Sequence, residues 1–426
     1  MKKVLGIVLL VLALTLVSVP AFAQKAELSL KYWHAGVGGA DLWVGDYGEY
    51  DEHEASNGSS VSDYVFSTEK LVLQPGAGGS FILSGSYFLS PSTSVGISYW
   101  GLSRAGTVGV DLMATDWKEN GTDYYGPYSW FENDYLLRVP WWDRNFLVDS
   151  DRWEYVGDNY HATQHYDEAL LIGEGSLSMS ALDISGMKAL TGPDWEVALS
   201  GGIRRATFSQ NQLTALDFCD YRYEYECEED EYYHGYEFET WNFGLDSELS
   251  VSAIGPQVGI EGKYALGDKL MLKAGAKAGV LFGTATADAT WTADHVYSEA
   301  EWEGDTNVYE DEWRDSIKVS YPATDSIQIA TYDLSASLGY QITEQWSVEA
   351  GYYVSLWKGV PSLYVLKCND SHSDYDGWYL DPRLYDYLDY YYDDFEDVEY
   401  SLWAWEQPEP RDIVVSGLTV GVNYKF

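Results

Sequence analysis

The end of the chain alternates. In "VVSGLTVGVNYKF" the positions Val414, Ser416, Leu418, Val420, Val422, Tyr424 and Phe426 fall on one side, and all but Ser416 are apolar or aromatic. Between them lie Val415, Gly417, Thr419, Gly421, Asn423 and Lys425, mostly small or polar. A period of two is the signature of a strand with two different faces. "WSVEAGYYVSL" repeats it, with Trp346, Val348, Ala350, Tyr352, Val354 and Leu356 on one face. So does "LMLKAGAKAGVLF", where Leu272, Ala274, Ala276 and Ala278 oppose Lys273, Gly275, Lys277 and Gly279. A lysine facing lipid at mid-depth costs ~2–4 kcal/mol. The lysine face is therefore the inside of a barrel.

"WNFGLDSELSVSAIGPQVGIEGKYAL" departs from this regularity. Its apolar set is odd-numbered through Trp241, Phe243, Leu245, Leu249 and Val251, then even-numbered at Val258, Ile260, Tyr264 and Leu266. A one-residue slip turns every side chain over, and Gly and Pro mark bulges. The pattern predicts one long bent strand with a β-bulge at Ile254-Gly255-Pro256, or else two strands joined by a tight turn. On that parity the inward charges are Glu196, Arg204, Asp246, Glu248, Glu261, Lys263, Lys273, Lys277, Asp333 and Glu349.

Ten such segments are predicted, near 26–35, 78–89, 94–113, 168–184, 194–208, 239–266, 270–287, 327–342, 346–358 and 412–426. Short connections near 89–93, 185–194, 266–269 and 343–345 alternate with long ones near 36–77, 115–167, 209–238, 288–326 and 359–411. Short turns on one side and long loops on the other are the pattern of an outer-membrane β-barrel. The expected fold is all-β, a transmembrane antiparallel up-and-down barrel. Stretches such as "DYVFSTEKLVL" could hide another hairpin, so eight or twelve strands stay open.

The start of the chain agrees. "MKK", an apolar run and the box Ala21-Phe22-Ala23 read as a secretory signal peptide over residues 1–23. No later apolar run reaches the ~20 residues of a membrane helix. The formal charge is −43, which excludes nucleic acid as a partner, because phosphate contacts need Lys and Arg. Acidic disordered chains lack aromatics, whereas this one has 37 Tyr and 18 Trp, so an ordered protein is expected.

Several pieces resemble the Legionella-type pore-forming major outer-membrane proteins. They are "AELSLKYWHAG", "SGSYFLSPSTSVGISYW", "LSGGIRRATF", "GPQVGIEGKYALGDKLMLKAGAKAGVLFG" and the closing "GLTVGVNYKF". The Gly-Pro segment with its short turn and small-residue strand is the most specific of them. The terminal strand also resembles the signal read by the barrel-assembly machinery, with Tyr424 and Phe426 as its aromatics. The resemblance implies a pore and covers strands only. The loops are longer and more acidic than it leads one to expect.

Candidate chemistry is sparse. No GxSxG, HExxH or GxxxxGK[ST] occurs, neighbours such as Asp294-His295 are expected by chance, and no enzymatic role is predicted. His161 and His165 form an HxxxH pair with no helix and no third ligand, so no metal site and no cofactor are expected. Weakly held Ca²⁺ or Mg²⁺ at the acidic loops stays open, since carboxylates are hard oxygen ligands. Cys219 and Cys227 are close enough in sequence to suggest a disulfide within one loop; Cys368 is left over.

Two functions follow. The preferred one is a porin-like outer-membrane protein that lets small hydrophilic solutes or ions pass by passive diffusion. Segment 369–411 holds 13 acidic residues against Arg383 and Arg411, and such a mouth makes weak cation selectivity the expectation. The other is a closed barrel acting as a structural or adhesive surface protein. Its acidic aromatic loops would bind divalent cations, lipopolysaccharide or glycans. Either way the partners are outer-membrane lipid and lipopolysaccharide, with the assembly machinery and periplasmic chaperones during biogenesis.

Overall fold

The computed structural model describes residues 26–50, 53–54, 60–61, 69–113, 117–123, 126–131, 134–139, 146–148, 150–156, 160–228, 231–303, 306–369, 402–406 and 409–426. The predicted signal peptide 1–23 and most of the acidic segment 369–411 lie outside these residues.

Ten antiparallel strands form a closed ring: β1 Ala26–Gly38, β2 Gly78–Ser90, β3 Thr93–Met113, β4 Tyr160–Thr191, β5 Trp195–Glu228, β6 Glu231–Ala265, β7 Leu270–Glu303, β8 Thr306–Gln341, β9 Trp346–Val360 and β10 Arg411–Lys425. Each pairs with its neighbours in sequence, and β10 pairs back onto β1 from Glu27↔Lys425 to Gly38↔Val414. Every barrel edge is thereby satisfied, which a lipid environment demands. The fold is the transmembrane up-and-down barrel the alternation predicts, with ten strands.

At one end the turns are tight. Thr343 Oγ1 accepts from the backbone N–H groups of Gln345 (3.3 Å) and Trp346 (3.0 Å), a local hydroxyl bond that tightens the turn between β8 and β9. At the other end β4 to β8 run far past their neighbours. The expected loops 209–238 and 288–326 are largely strand: β5 and β6 pair up to Glu228↔Glu231, and β7 and β8 up to Glu303↔Thr306. Beyond Phe282, β7 continues for roughly 70 Å of strand at ~3.3 Å per residue. The five long strands make a one-sided wall above the ring.

The expected bulge at Ile254-Gly255-Pro256 is absent. β6 keeps one register with β5 throughout, Arg205↔Ile254 and Gly202↔Gln257 included, and one register with β7 on both sides of Gly255. Odd positions of β6 face inward along its described length. What changes is the surroundings. Below Ile254 the outward residues are apolar and exposed, with Val258 at 65%, and the inward ones include Lys263 and Glu261. Above it the outward residues are Ser252, Ser250, Glu248 and Asp246, while Val251, Leu249, Leu245 and Phe243 are buried inside. β7 switches at the same height, from outward Phe282 to outward Thr284, Thr286 and Asp288. The inversion marks where lipid gives way to water. Asp246 and Glu248 therefore face outward into water, which corrects their expected place in the lumen.

Part of segment 36–77 folds into the ring. Gly39, at φ +77°, lets the chain turn inward after β1, and a side chain there would meet the carbonyl of Asp412. Leu42–Tyr50 then pairs with Glu69–Leu73 in a separate small sheet. Its Leu42, Val44, Leu71 and Leu73 are buried. Val44 packs so closely over Gly173 of β4 that a Cβ there would lie 2.3 Å from it. Backbone carbonyls of this strap are held from the wall: Gln210 Nε2 donates to Ala40 O at 3.0 Å and Gln212 Nε2 to Trp43 O at 3.0 Å. Of the stretch "DYVFSTEKLVL", residues 63–68 lie outside the described residues, and Glu69–Leu73 is a strand of this small sheet, not a barrel strand.

Candidate functional site: the occupied lumen

Eight of the ten charges predicted to line the lumen do so: Glu196, Arg204, Glu261, Lys263, Lys273, Lys277, Asp333 and Glu349. Alternation places them there, because each follows the inward parity of its strand below the inversion level. Two partners were missed, Asp183 on β4 and Lys31 on β1. Both obey the same parity, and extending the tally to those strands would have found them.

Arg204 is the centre. Its Nε donates to Asp183 Oδ1 at 2.7 Å and its Nη2 to Asp183 Oδ2 at 2.8 Å, and Nη2 also donates to Asp333 Oδ2. Ser355 Oγ donates to Asp333 Oδ1 at 2.6 Å, and Trp357 Nε1 donates to Ser355 Oγ at 3.0 Å. On the other side Ser98 Oγ donates to Asp183 Oδ2 at 3.4 Å, and Lys277 lies 3.7 Å from Asp183 and 4.0 Å from Glu261. The network runs from β3 to β9 across the lumen, and Arg204 is only 2% exposed. A planar guanidinium suits this bidentate role better than a lysine would. A second cluster joins Glu349 to Lys31 and to Lys273 (2.8 Å). A third joins Lys263 to Glu196 (2.8 Å), each about a third exposed toward the turn end. Five cations face five carboxylates in these clusters, so their net charge is zero.

Aromatic rings fill the level beside the network. Trp33, Trp100, Tyr353 and Trp357 meet edge to face, with centroids 5.0 Å apart for Trp33–Tyr353, 5.5 Å for Trp33–Trp100 and 5.9 Å for Trp100–Trp357. Trp33 and Trp357 have no exposed surface. Above them the wall's inner residues and the strap make one continuous apolar core.

Other candidates from the sequence do not converge. Cys219 and Cys227 both lie on β5, roughly 26 Å apart at ~3.3 Å per residue, whereas a disulfide needs Cα atoms within ~7 Å. Cys219 is a free thiol, which corrects the expected bridge. Burial, with Glu168, Asp220 and Asp167 around it, pushes that thiol up to about 11. His161 and His165 lie on β4, not on a helix. His295 Nε2 is 2.6 Å from Glu239 and its ring stacks on Trp241. Among the described residues no three His, Cys, Asp or Glu side chains gather as metal ligands. Tyr424 stands 4.6 Å from Phe426 and 4.7 Å from Trp346, ring to ring, at the turn end.

No protein-family model matches the chain. No curated protein matches it either. Among solved structures it is similar to the outer membrane protease OmpT from Escherichia coli, at 10% identity over 96% of this chain and 99% of that one, with a TM-score of 0.36. It is also similar to the CymD monoaromatic hydrocarbon channel (8% identity, 95% and 89% covered, TM-score 0.21). A third is a Pseudomonas aeruginosa FadL homologue (10% identity, 94% and 90% covered, TM-score 0.20). The ring closure and the exposed apolar belt of this chain establish its barrel architecture on their own.

Proposed function

We propose that the protein is a closed, non-catalytic outer-membrane β-barrel that carries a tall acidic β-wall at the bacterial cell surface. The observation that supports this best is the charge network from Ser98 to Ser355, which crosses the lumen with Arg204 buried at its centre. The aromatic layer and the in-folded strap fill the levels above it. Of the two readings that the sequence leaves open, this interior favours the closed barrel over the porin-like passage. The outward wall above the inversion is polar and rich in short hydroxyls and carboxylates, a surface suited to water and to outer-leaflet lipopolysaccharide beside it. The acidic segments around it would hold divalent cations only weakly.

Planar-bilayer recording of the purified barrel tests the proposal. A silent bilayer is expected. Stable conductance steps would overturn closure and favour the porin-like reading. Reversal potentials in a KCl gradient would then read its selectivity. An acidic mouth gives weak cation preference that fades as the Debye length falls from ~10 Å at 0.1 M to ~3 Å at 1 M salt.

A further inference from the structure

Arg205 follows Arg204 on β5 and so points the other way, out of the ring. Arg204 is locked among carboxylates, whereas Arg205 is exposed and has no carboxylate partner among the described residues. Its neighbours fix its height. In register it stands between Leu182 of β4 and Ile254 of β6, the last outward apolar residues of those strands before the inversion. Ile254 beside it, and Ile184 and Ile203 just below, are each more than half exposed. The next outward position on all three strands carries a hydroxyl: Ser180, Thr207 and Ser252 stand in register. Ser180 Oγ and Thr207 Oγ1 are hydrogen-bonded at 2.7 Å. The nearest outward carboxylates on β4, β6 and β7 are Glu174, Glu248 and Asp288. They lie roughly 20 Å or more further up the wall at ~3.3 Å per residue.

A fixed cation with no counter-charge from its own chain thus sits where the apolar belt ends, on the side of the long strands. The Debye length is ~8 Å at physiological salt, so carboxylates 20 Å away do not neutralise it. Lys358, outward at the same end of β9, differs: Asp412 lies 4.0 Å from it and answers its charge within the protein. A guanidinium offers parallel N–H groups to two phosphate oxygens, and neighbouring hydroxyls can donate to a third. We propose that Arg205, with the hydroxyl row above it and the isoleucine face below, binds the phosphate headgroup of an outer-leaflet glycolipid. The isoleucines cover acyl chain, which free phosphate lacks, and this commits the site to a lipid. The inference rests on the outer-membrane placement proposed above. It does not depend on whether the lumen conducts.

The test uses the whole folded barrel in a neutral, phosphate-free detergent. It is titrated with an acylated glucosamine disaccharide bearing two phosphates, and with the same lipid after dephosphorylation. Bound lipid is counted by native mass spectrometry. The phosphorylated form should bind at least roughly fivefold more tightly, the worth of one basic residue at a membrane surface. Arg205→Gln should erase that preference, Arg205→Lys should keep part of it, and Lys358→Gln should leave it intact. Equal binding of the two lipids by the wild type, or an undiminished preference in Arg205→Gln, would overturn the site and leave the outer-membrane placement standing. A folded barrel that binds neither lipid would count against both. Excess inorganic phosphate should not displace the lipid. Displacement would make this a site for free anions and overturn the lipid assignment. If Arg205→Gln does not accumulate, the wild-type comparison of the two lipids and the phosphate competition decide.

Discussion

Arg204 is a cation inside the ring with only 2% of its surface exposed, so its charge depends on its partners. Asp183 and Asp333 each take at least one of its N–H groups, and Ser355 and Ser98 take up further carboxylate lone pairs. Removing one member of such a buried set strands the others. Arg204→Met should therefore destabilise the barrel by about 3–5 kcal/mol, the range for breaking a buried pair. The triple change Arg204→Met, Asp183→Asn and Asp333→Asn should recover most of that loss, because no uncompensated charge remains. By contrast, Lys263→Met breaks a pair that is a third exposed and should fall within ~1 kcal/mol. Urea unfolding of the barrel in lipid vesicles, followed by tryptophan fluorescence, would separate the three. Equal losses for Arg204→Met and Lys263→Met would show that the network is wet and weak. Residue identity and parity alone located Arg204, Lys277 and Asp333. The pairing did not follow from them, because which arm reaches which carboxylate depends on the curvature of the closed ring.

At the scale of the strand, alternation reports which face differs from the other, and it does not report which solvent each face meets. In a chain that stays in the membrane the apolar face is outward. In β6 and β7 the same strand leaves lipid, its outward face meets water, and its inward face becomes a core. The apolar set then changes parity without any change of register, which from sequence imitates a bulge at Ile254-Gly255-Pro256. Gly255 and Pro256 strengthened the imitation, although their ladder to β5 continues unbroken and the register to β7 is the same on both sides of them. Asp246 and Glu248 were misplaced for this reason alone, while Glu261 and Lys263, below the switch, were placed correctly. The inversion makes a sharp prediction about outward positions on β7. Ala276→Lys puts a charge at mid-depth in lipid and should cost ~2–4 kcal/mol. Thr286→Lys, on the same face above Phe282, should change stability by less than ~0.5 kcal/mol, as surface substitutions do. Folding free energies in vesicles check both. A similar large penalty at both positions would move the membrane boundary above Thr286 and sink the inversion.

For the whole molecule, closure is the decisive event, and it joins the two ends of the chain. β1 has its first partner in β2, but its other edge stays open until β10 arrives from roughly 385 residues further along. Such a long-range pairing is formed late, because loop-closure entropy precedes its reward. The final residue takes part in the seam: the Phe426 N–H donates to the Ala26 carbonyl at 2.9 Å, and the Lys425 N–H donates to the Gln345 carbonyl at 2.9 Å. Its ring packs outward with Tyr424 and Trp346 at the turn end, where an aromatic girdle meets the interface. Deleting Phe426 removes one seam hydrogen bond and one exposed ring from a barrel still held by the rest of the β1–β10 ladder. The folded state should lose only ~1 kcal/mol, the scale of a single hydrogen bond. Assembly should suffer far more, because the closing strand loses the aromatic end that it presents while the ring is still open. The two effects separate experimentally. In cells, the heat-modifiable, folded fraction in the outer membrane should drop several-fold. Protein refolded in vitro from the same variant should unfold within a few degrees of the wild type. Normal levels in the membrane with normal gel mobility would sink the assembly role. A large loss of stability in vitro would make Phe426 a structural clamp on the seam instead.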